Sequence, residues 1–241
     1  MQAYILFFLF TLLCEIIGTV GGFGSSVIFV PLAQWFFSFK IVLVLTSILH
    51  VFSNISKIGM FWQHIDRRFF LLYGVPSLLF SIIGAWLTAH TSLTYGELIL
   101  GAFLIVFSGF FLLFPNKKLP ANNANALTSG SLAGFLAGFV GTGGAVRGAS
   151  MAAFDLEKNV FVATSGAIDF GVDASRMIVY LNNGFLTPQY WSYIPLLFVA
   201  SVVGTYFGKL VLNRISQEVF KRIVLILIFL IGLSMVLKAF L

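Results

Sequence analysis

Apolar runs of roughly 20 residues recur along this chain with only short polar gaps between them. In hydrocarbon every backbone amide must be paired within its own segment, so repeated runs of this length fold as membrane-spanning helices. The runs fall near 2–20, 25–38, 41–62, 69–90 and 96–114, then near 126–141, 145–154, 159–182, 189–212 and 218–240. Charged residues make up 9% of the chain, against about 25% in a soluble domain. The expected fold is all-α: a polytopic helical membrane protein with no room for a separate soluble domain. The first run lacks a basic leader and a small-residue cleavage site, so it reads as a retained helix. The net charge of +6 is assigned to loops that set topology, with the bilayer as partner and nucleic acid excluded. A single cysteine, Cys14, leaves no disulfide frame and no thiolate metal site.

Two glycine-rich stretches interrupt the runs: Gly18-Thr-Val-Gly21-Gly22-Phe-Gly24-Ser25 and Gly138-Phe-Val-Gly141-Thr-Gly143-Gly144. Glycine costs about 1 kcal/mol in a helix interior. Uncovered backbone persists in a bilayer only when it is buried in protein or lines a wet cavity. Close helix packing through Gly18/Gly22 and Gly134/Gly138 is the structural alternative. The density of glycines at two corresponding positions favours a transporter's binding site over packing alone.

The correspondence is part of a wider repeat with an offset of about 120 residues. Gly84 matches Gly204, and helix 41–62 aligns with 159–182 so that His50, Asn54 and Lys57 meet Asp169, Asp173 and Arg176. A hydrophilic linker from Pro115 to Asn123 separates the halves. The expected organisation is one repeat over 1–114, a linker at 115–125 and a second repeat over 126–241. Loop charges decide how the halves are related. If each glycine-interrupted region crosses twice or folds back, Arg67, Arg68, Lys117, Lys118, Lys158, Arg214, Lys221 and Arg222 share one side. Lys40 and Lys238 alone fall on the other. If each region crosses once, the bias nearly cancels. The first arrangement obeys the positive-inside rule, makes the repeats inverted, and puts both termini outside the cytoplasm.

Ionisable side chains at membrane depth cost a few kcal/mol and default to functional candidates. Ser47, His50, Asn54 and Lys57 share one helical face, as do Asp169, Asp173 and Arg176. Asp173 and Arg176 can pair along their own helix, and Lys57 and Arg176 lie near enough to helix ends to snorkel. Arg147 follows Gly143-Gly144, where a half-helix N-terminus would offer free amides to an anion. Its forked donor suits an oxyanion, although a topological arginine is the competing reading. The candidate substrate-binding set is Gly21, Gly22, Gly24, Ser25, Asn54, Gly141, Gly143, Gly144, Arg147 and Arg176. Glu15, His50, Asp169 and Asp173 are candidates for proton coupling. His50, His64 and His90 lack metal-ligand spacing, so no metal or other cofactor is expected. Gly22-Phe-Gly24-Ser25 has no His/Asp partner order behind it for a serine nucleophile, and no P-loop is present. An enzyme is not expected.

The glycine stretches, Pro31 after the first, Ala163-Thr-Ser-Gly-Ala with Asp173 and Arg176, and Gly204-Thr-Tyr-Phe-Gly208 with Ile215-Ser216 resemble the TauE/SafE sulfite-exporter family of membrane permeases. The resemblance covers nearly the whole chain. It implies secondary transport of a small, sulfur-containing anion such as sulfite or an organosulfonate across the cytoplasmic membrane. Met151 stands where the first half has Pro31, so the second interruption departs from the first. The expected mechanism brings the two interruptions together near the midplane and exposes the anion alternately to each side, with a proton or sodium as the open choice of coupling ion. A passive anion channel on the same scaffold and, from another class, an intramembrane enzyme or assembly factor are the alternatives. Substrate identity, direction and oligomeric state are not readable from these residues.

Overall fold

The computed structural model describes the chain apart from residues 1, 23, 35, 91–95, 115, 117–119, 121, 142 and 239–241. Lys117 and Lys118, which enter the charge argument above, lie outside the described residues, as do the uncharged 91–95 loop and most of the Pro115–Ala121 linker. The helices are α1 Gln2–Gly21, α2 Ser26–Ala33, α3 Phe39–Phe61, α4 Arg67–Phe69, α5 Val75–His90 and α6 Gly96–Leu113. They continue as α7 Asn123–Val140, α8 Gly143–Ala153, α9 Lys158–Asn182, α10 Ile194–Leu212 and α11 Gln217–Lys238. A π-helical turn, Phe70–Gly74, joins α4 to α5. The described residues contain no strand. Among them, five helical segments are long and apolar enough to cross a membrane: Tyr4–Gly21, Phe39–His64, Arg67–Thr88, Pro188–Leu212 and Gln217–Leu237. The chain is an all-α, multi-pass membrane protein.

Contacts along each helix pair give their directions. α1 and α10 run the same way: Tyr4 Oη is 3.2 Å from Ser192 Oγ at the start, and further on Gly204 abuts Glu15 and Gly208 abuts Thr19. α5 and α7 also run the same way, with Gly130, Gly134 and Gly138 pressed against Tyr73, Ser77 and Ser81 in turn. Ser77 Oγ donates to Gly130 O at 2.7 Å across this seam. A side chain at Gly134 would collide with backbone, so close packing does govern Gly134 and Gly138. α3 and α9 run in opposite directions: Lys57 lies against Gly166, while Asn54 reaches Asp173. α6 and α11 do the same, Gly101 meeting Gly232 and Gly109 meeting Phe229.

One end of the bundle is polar and basic. Asp66, Asn122 and Glu157 cap the helices that start there, accepting from Phe69 N, Asn125 N and Val160 N, a contribution of about 1 kcal/mol each. Asp66 N donates to Thr164 Oγ1, Arg68 to Asn123 Oδ1, Lys158 Nζ to Ile215 O and Lys221 Nζ to Asp155 Oδ1. Lys209 Nζ donates to Met60 O. The other end is aromatic: Tyr4, Phe7, Phe37, Tyr190 and Tyr193 stack edge to face or tilted, in keeping with an interfacial aromatic belt. The α1–α2 excursion begins and ends at the aromatic end. The α7–α8 excursion begins and ends at the basic end.

Candidate functional site

Each excursion turns at a glycine stretch. α1 closes at Gly21, and Gly22 and Gly24 carry the chain through positive φ values of +74° and +88° before Ser25 starts α2. Gly22 is held by Phe161 and Val162 of α9, and Gly24 faces the His50 ring of α3. At the second turn Gly141 takes φ +81°, and α8 opens on the buried Gly143 and Gly144. The carbonyls exposed where α7 ends are satisfied from α9. Arg176 Nη1 donates to Ala137 O at 3.3 Å and Gly141 O at 3.2 Å, and Tyr180 Oη donates to Gly138 O at 2.6 Å. A guanidinium at a helix C-terminus is also favoured by the helix dipole.

Between the two turns, α3 and α9 bury their polar faces against one another. Ser25 Oγ is hydrogen-bonded to Glu15 Oε1 and lies 3.0 Å from His50 Nε2. His50 Nδ1 is 3.3 Å from Asp173 Oδ2, and Asn54 Nδ2 donates to the same oxygen at 2.8 Å. Arg176 closes on Asp173 Oδ1 with Nε at 2.8 Å and Nη2 at 2.7 Å. A continuous polar chain thus runs from the first glycine turn, through the Ser25–His50 hydrogen bond, the His50–Asp173 contact and Arg176, to Gly141 of the second. Alongside it, Arg147 of α8 pairs with Asp169, and its Nε donates to Ser165 Oγ at 3.0 Å. Ser150 Oγ donates to Arg147 O at 3.0 Å and lies 2.9 Å from Tyr73 Oη, which fixes the helical turn that carries the arginine.

The candidate residues therefore divide. Ser25, His50, Asn54, Asp173 and Arg176 form one network that includes Glu15, and Arg147 and Asp169 form a neighbouring ion pair. Gly21, Gly22, Gly24, Gly141, Gly143 and Gly144 shape the two turns. Asp173 and Arg176 pair along their own helix, and Arg176 does not snorkel: it is 1% exposed. Ser25, His50 and Asp173 stand in the serine–histidine–acid order that the linear sequence does not reveal. The Ser25 hydroxyl is fully buried and shared with Glu15, so the arrangement suits proton transfer along a hydrogen-bond chain better than nucleophilic attack.

Lys57, placed by its spacing on the polar face of α3 and by its position near a helix end as able to snorkel, does not reach the surface. It is 2% exposed, and its stem lies along Gly166. Its ammonium makes no hydrogen bond and no ion pair among the described residues; Asp169, already claimed by Arg147, is within electrostatic range. The signal was present in the spacing of Ser47, His50, Asn54 and Lys57, which puts Lys57 on the buried face. Among the described residues, the buried ionisable groups between the turns are three cations, Lys57, Arg147 and Arg176, and three carboxylates, Glu15, Asp169 and Asp173, beside His50; with Glu15 protonated the cations exceed the carboxylates by one.

Comparison with known proteins gives the family of the chain and not the roles of these residues. The family model described as sulfite exporter TauE/SafE matches residues 7–235. The comparison with curated proteins gives no match.

Proposed function

The chain belongs to the TauE/SafE family of sulfite exporters, and from that premise we propose that it is a secondary transporter carrying a small sulfur-containing anion, sulfite or an organosulfonate, across the cytoplasmic membrane by alternating access. Lys57 is the observation that carries the reading. A buried ammonium with no partner among the described residues is costly in a bilayer interior, and a small oxyanion is the guest that removes the cost. Arg147, whose Nε meets Ser165 next to Gly166, is a further donor, and Asn54 lies one turn from Lys57 on the same face of α3. In this reading Arg176 serves mainly to hold Asp173 and to close the end of α7.

The two-repeat organisation, 1–114 and 126–241 about the 115–125 linker, supplies the moving parts. In the repeat alignment α1, α3, α5 and α6 correspond to α7, α9, α10 and α11. The α1–α10 pair is then the counterpart of α7–α5, and both pairs run in the same direction. A two-fold axis along the helices would leave α3 and α9 parallel; an axis across them makes them antiparallel. α3/α9 and α6/α11 are antiparallel, which supports inverted repeats related by an axis in the membrane plane. The basic end is then cytoplasmic and the aromatic end external. The glycine turns act as half-helix junctions entering from opposite sides, and rocking of one repeat against the other opens the pocket to each side in turn.

Radiolabelled sulfite uptake into proteoliposomes tests the assignment of the pocket. Lys57→Met and Arg147→Ala are each expected to lower transport by at least tenfold at sub-saturating sulfite. Unchanged transport in both variants would remove the pocket from the pathway.

A further inference from the structure

We propose that the Glu15–Ser25–His50–Asp173 chain holds one transferable proton and makes this protein a proton–anion symporter, moving one proton with each monoanion. The inference rests on the transport reading above for the anion, and on hydrogen accounting within the chain for the proton. Asp173 is held as a carboxylate by Arg176 and Asn54, so His50 Nδ1, 3.3 Å from its Oδ2, carries a hydrogen. In a neutral imidazole Nε2 is then a bare acceptor that needs the hydrogen of Ser25. A serine hydroxyl has only one hydrogen. Once it is given to His50, the contact between Ser25 and Glu15 Oε1 requires a hydrogen on Glu15. The alternative is a doubly protonated His50 donating to Ser25, which donates in turn to a Glu15 carboxylate. Either way the chain contains one proton more than a carboxylate and a neutral imidazole supply.

The two forms interconvert through Ser25. The Glu15 O–H bond breaks as a Ser25 O–H bond forms, and the original Ser25 hydrogen passes to His50 Nε2. Ser25 is regenerated, and no co-reactant is needed. A second observation puts the resident proton at the Glu15 end. Glu15 is fully buried, its Oε2 has no hydrogen-bond partner, and no cation pairs with it among the described residues. A neutral acid leaves only a carbonyl oxygen unmatched there, whereas a carboxylate would leave a charge with a single donor.

Proton and anion are then linked by charge. The ionisable groups around the chain are Cys14 beside Glu15 on α1, His50 and Lys57 on α3, Tyr73 before α5, Arg147 on α8, and Asp169, Asp173, Arg176 and Tyr180 on α9, the two tyrosines neutral; α10 contributes Gly204 and Ser201/Thr205, none ionisable. With the chain protonated, Lys57, Arg147 and Arg176 exceed Asp169 and Asp173 by one charge, which one monoanion neutralises. Loss of the proton adds one negative charge, and the pocket no longer favours an anion. Each ligand therefore raises the affinity for the other.

The test uses the full chain in proteoliposomes with a lumenal pH dye, radiolabelled sulfite, and radiolabelled methanesulfonate, whose charge does not vary over the working range. An acid exterior is expected to drive accumulation, and a tenfold proton gradient to sustain about a tenfold gradient of methanesulfonate or of monoanionic sulfite in the wild type. Glu15→Gln is expected to keep anion exchange between equal pools while losing at least tenfold of pH-driven accumulation and the lumenal acidification. Wild-type vesicles that exchange either anion but answer to a sodium gradient and not to pH overturn this inference alone, as does full acidification in Glu15→Gln. Should the variant not fold, the wild-type gradient ratio decides by itself. Wild-type vesicles that move neither anion overturn the transport reading and this inference with it.

Discussion

Replacing Lys57 with methionine should make the empty protein more stable and the anion-loaded protein less so. Methionine keeps an unbranched stem along Gly166, so little packing is lost, while the unpaired ammonium disappears. Lys57 stands near the end of α3 but is buried, so the helix-centre insertion cost of about 2.5–3.5 kcal/mol is an upper value for its ammonium. Attraction to Asp169 returns roughly a third of that, because Asp169 is already neutralised by Arg147. The net gain on substitution is up to about 2 kcal/mol, or up to about 4–8 °C in unfolding midpoint for a chain of this size. Binding moves the other way. A charged hydrogen bond contributes about 1.5–3 kcal/mol, so sulfite affinity should fall by roughly ten- to a hundredfold. In the wild type, sulfite at a hundred times its Kd stabilises by about 2.7 kcal/mol. Tryptophan-fluorescence melts in nanodiscs, with and without sulfite at a fixed scan rate, read both effects. A variant that melts below the wild type and keeps the full sulfite-dependent shift would refute the claim that Lys57 is the vacant cation of the site.

Asp169→Ala leaves Arg147 without its carboxylate and should cost about 3–5 kcal/mol, seen as a lower melting midpoint that added sulfite or formate partly restores. Gly141→Ala forces a side chain into φ +81° against Leu43; the left-handed conformation alone costs about 1–2 kcal/mol, and a melt of the variant checks it. Cysteines placed at Arg67 and Lys221 should label from one side of oriented membranes and one at Tyr190 from the other. Labelling of Arg67→Cys and Lys221→Cys from opposite faces would contradict the inverted arrangement.

The helices were legible because the bilayer leaves few options: the apolar runs near 41–62 and 159–182 became α3 Phe39–Phe61 and α9 Lys158–Asn182 with only small shifts at their ends. The polar stripes were legible for the same reason, since spacings of three and four put His50, Asn54 and Lys57 on one face. What the linear pattern does not contain is partner choice. The repeat alignment sets Asn54 beside Asp173 as equivalents, and the fold turns that equivalence into a direct hydrogen bond because α3 and α9 are antiparallel neighbours. Arg147 looked like the open cation, but its pairing with Asp169 depends on how α8 folds back onto α9, a tertiary fact. Lys57 looked able to snorkel by its place near the end of α3. Gly166 lets its stem run inward instead, and that contact between distant segments is invisible to helical periodicity.

The central claim is that one pocket is exposed to the two sides in turn, and counterflow tests it most directly. Proteoliposomes loaded with unlabelled sulfite, diluted into a trace of labelled sulfite with no other gradient, should transiently concentrate the label inside, because the carrier returns loaded from both sides. Label that only equilibrates, at a rate indifferent to the lumenal sulfite, would mean a channel and would contradict alternating access.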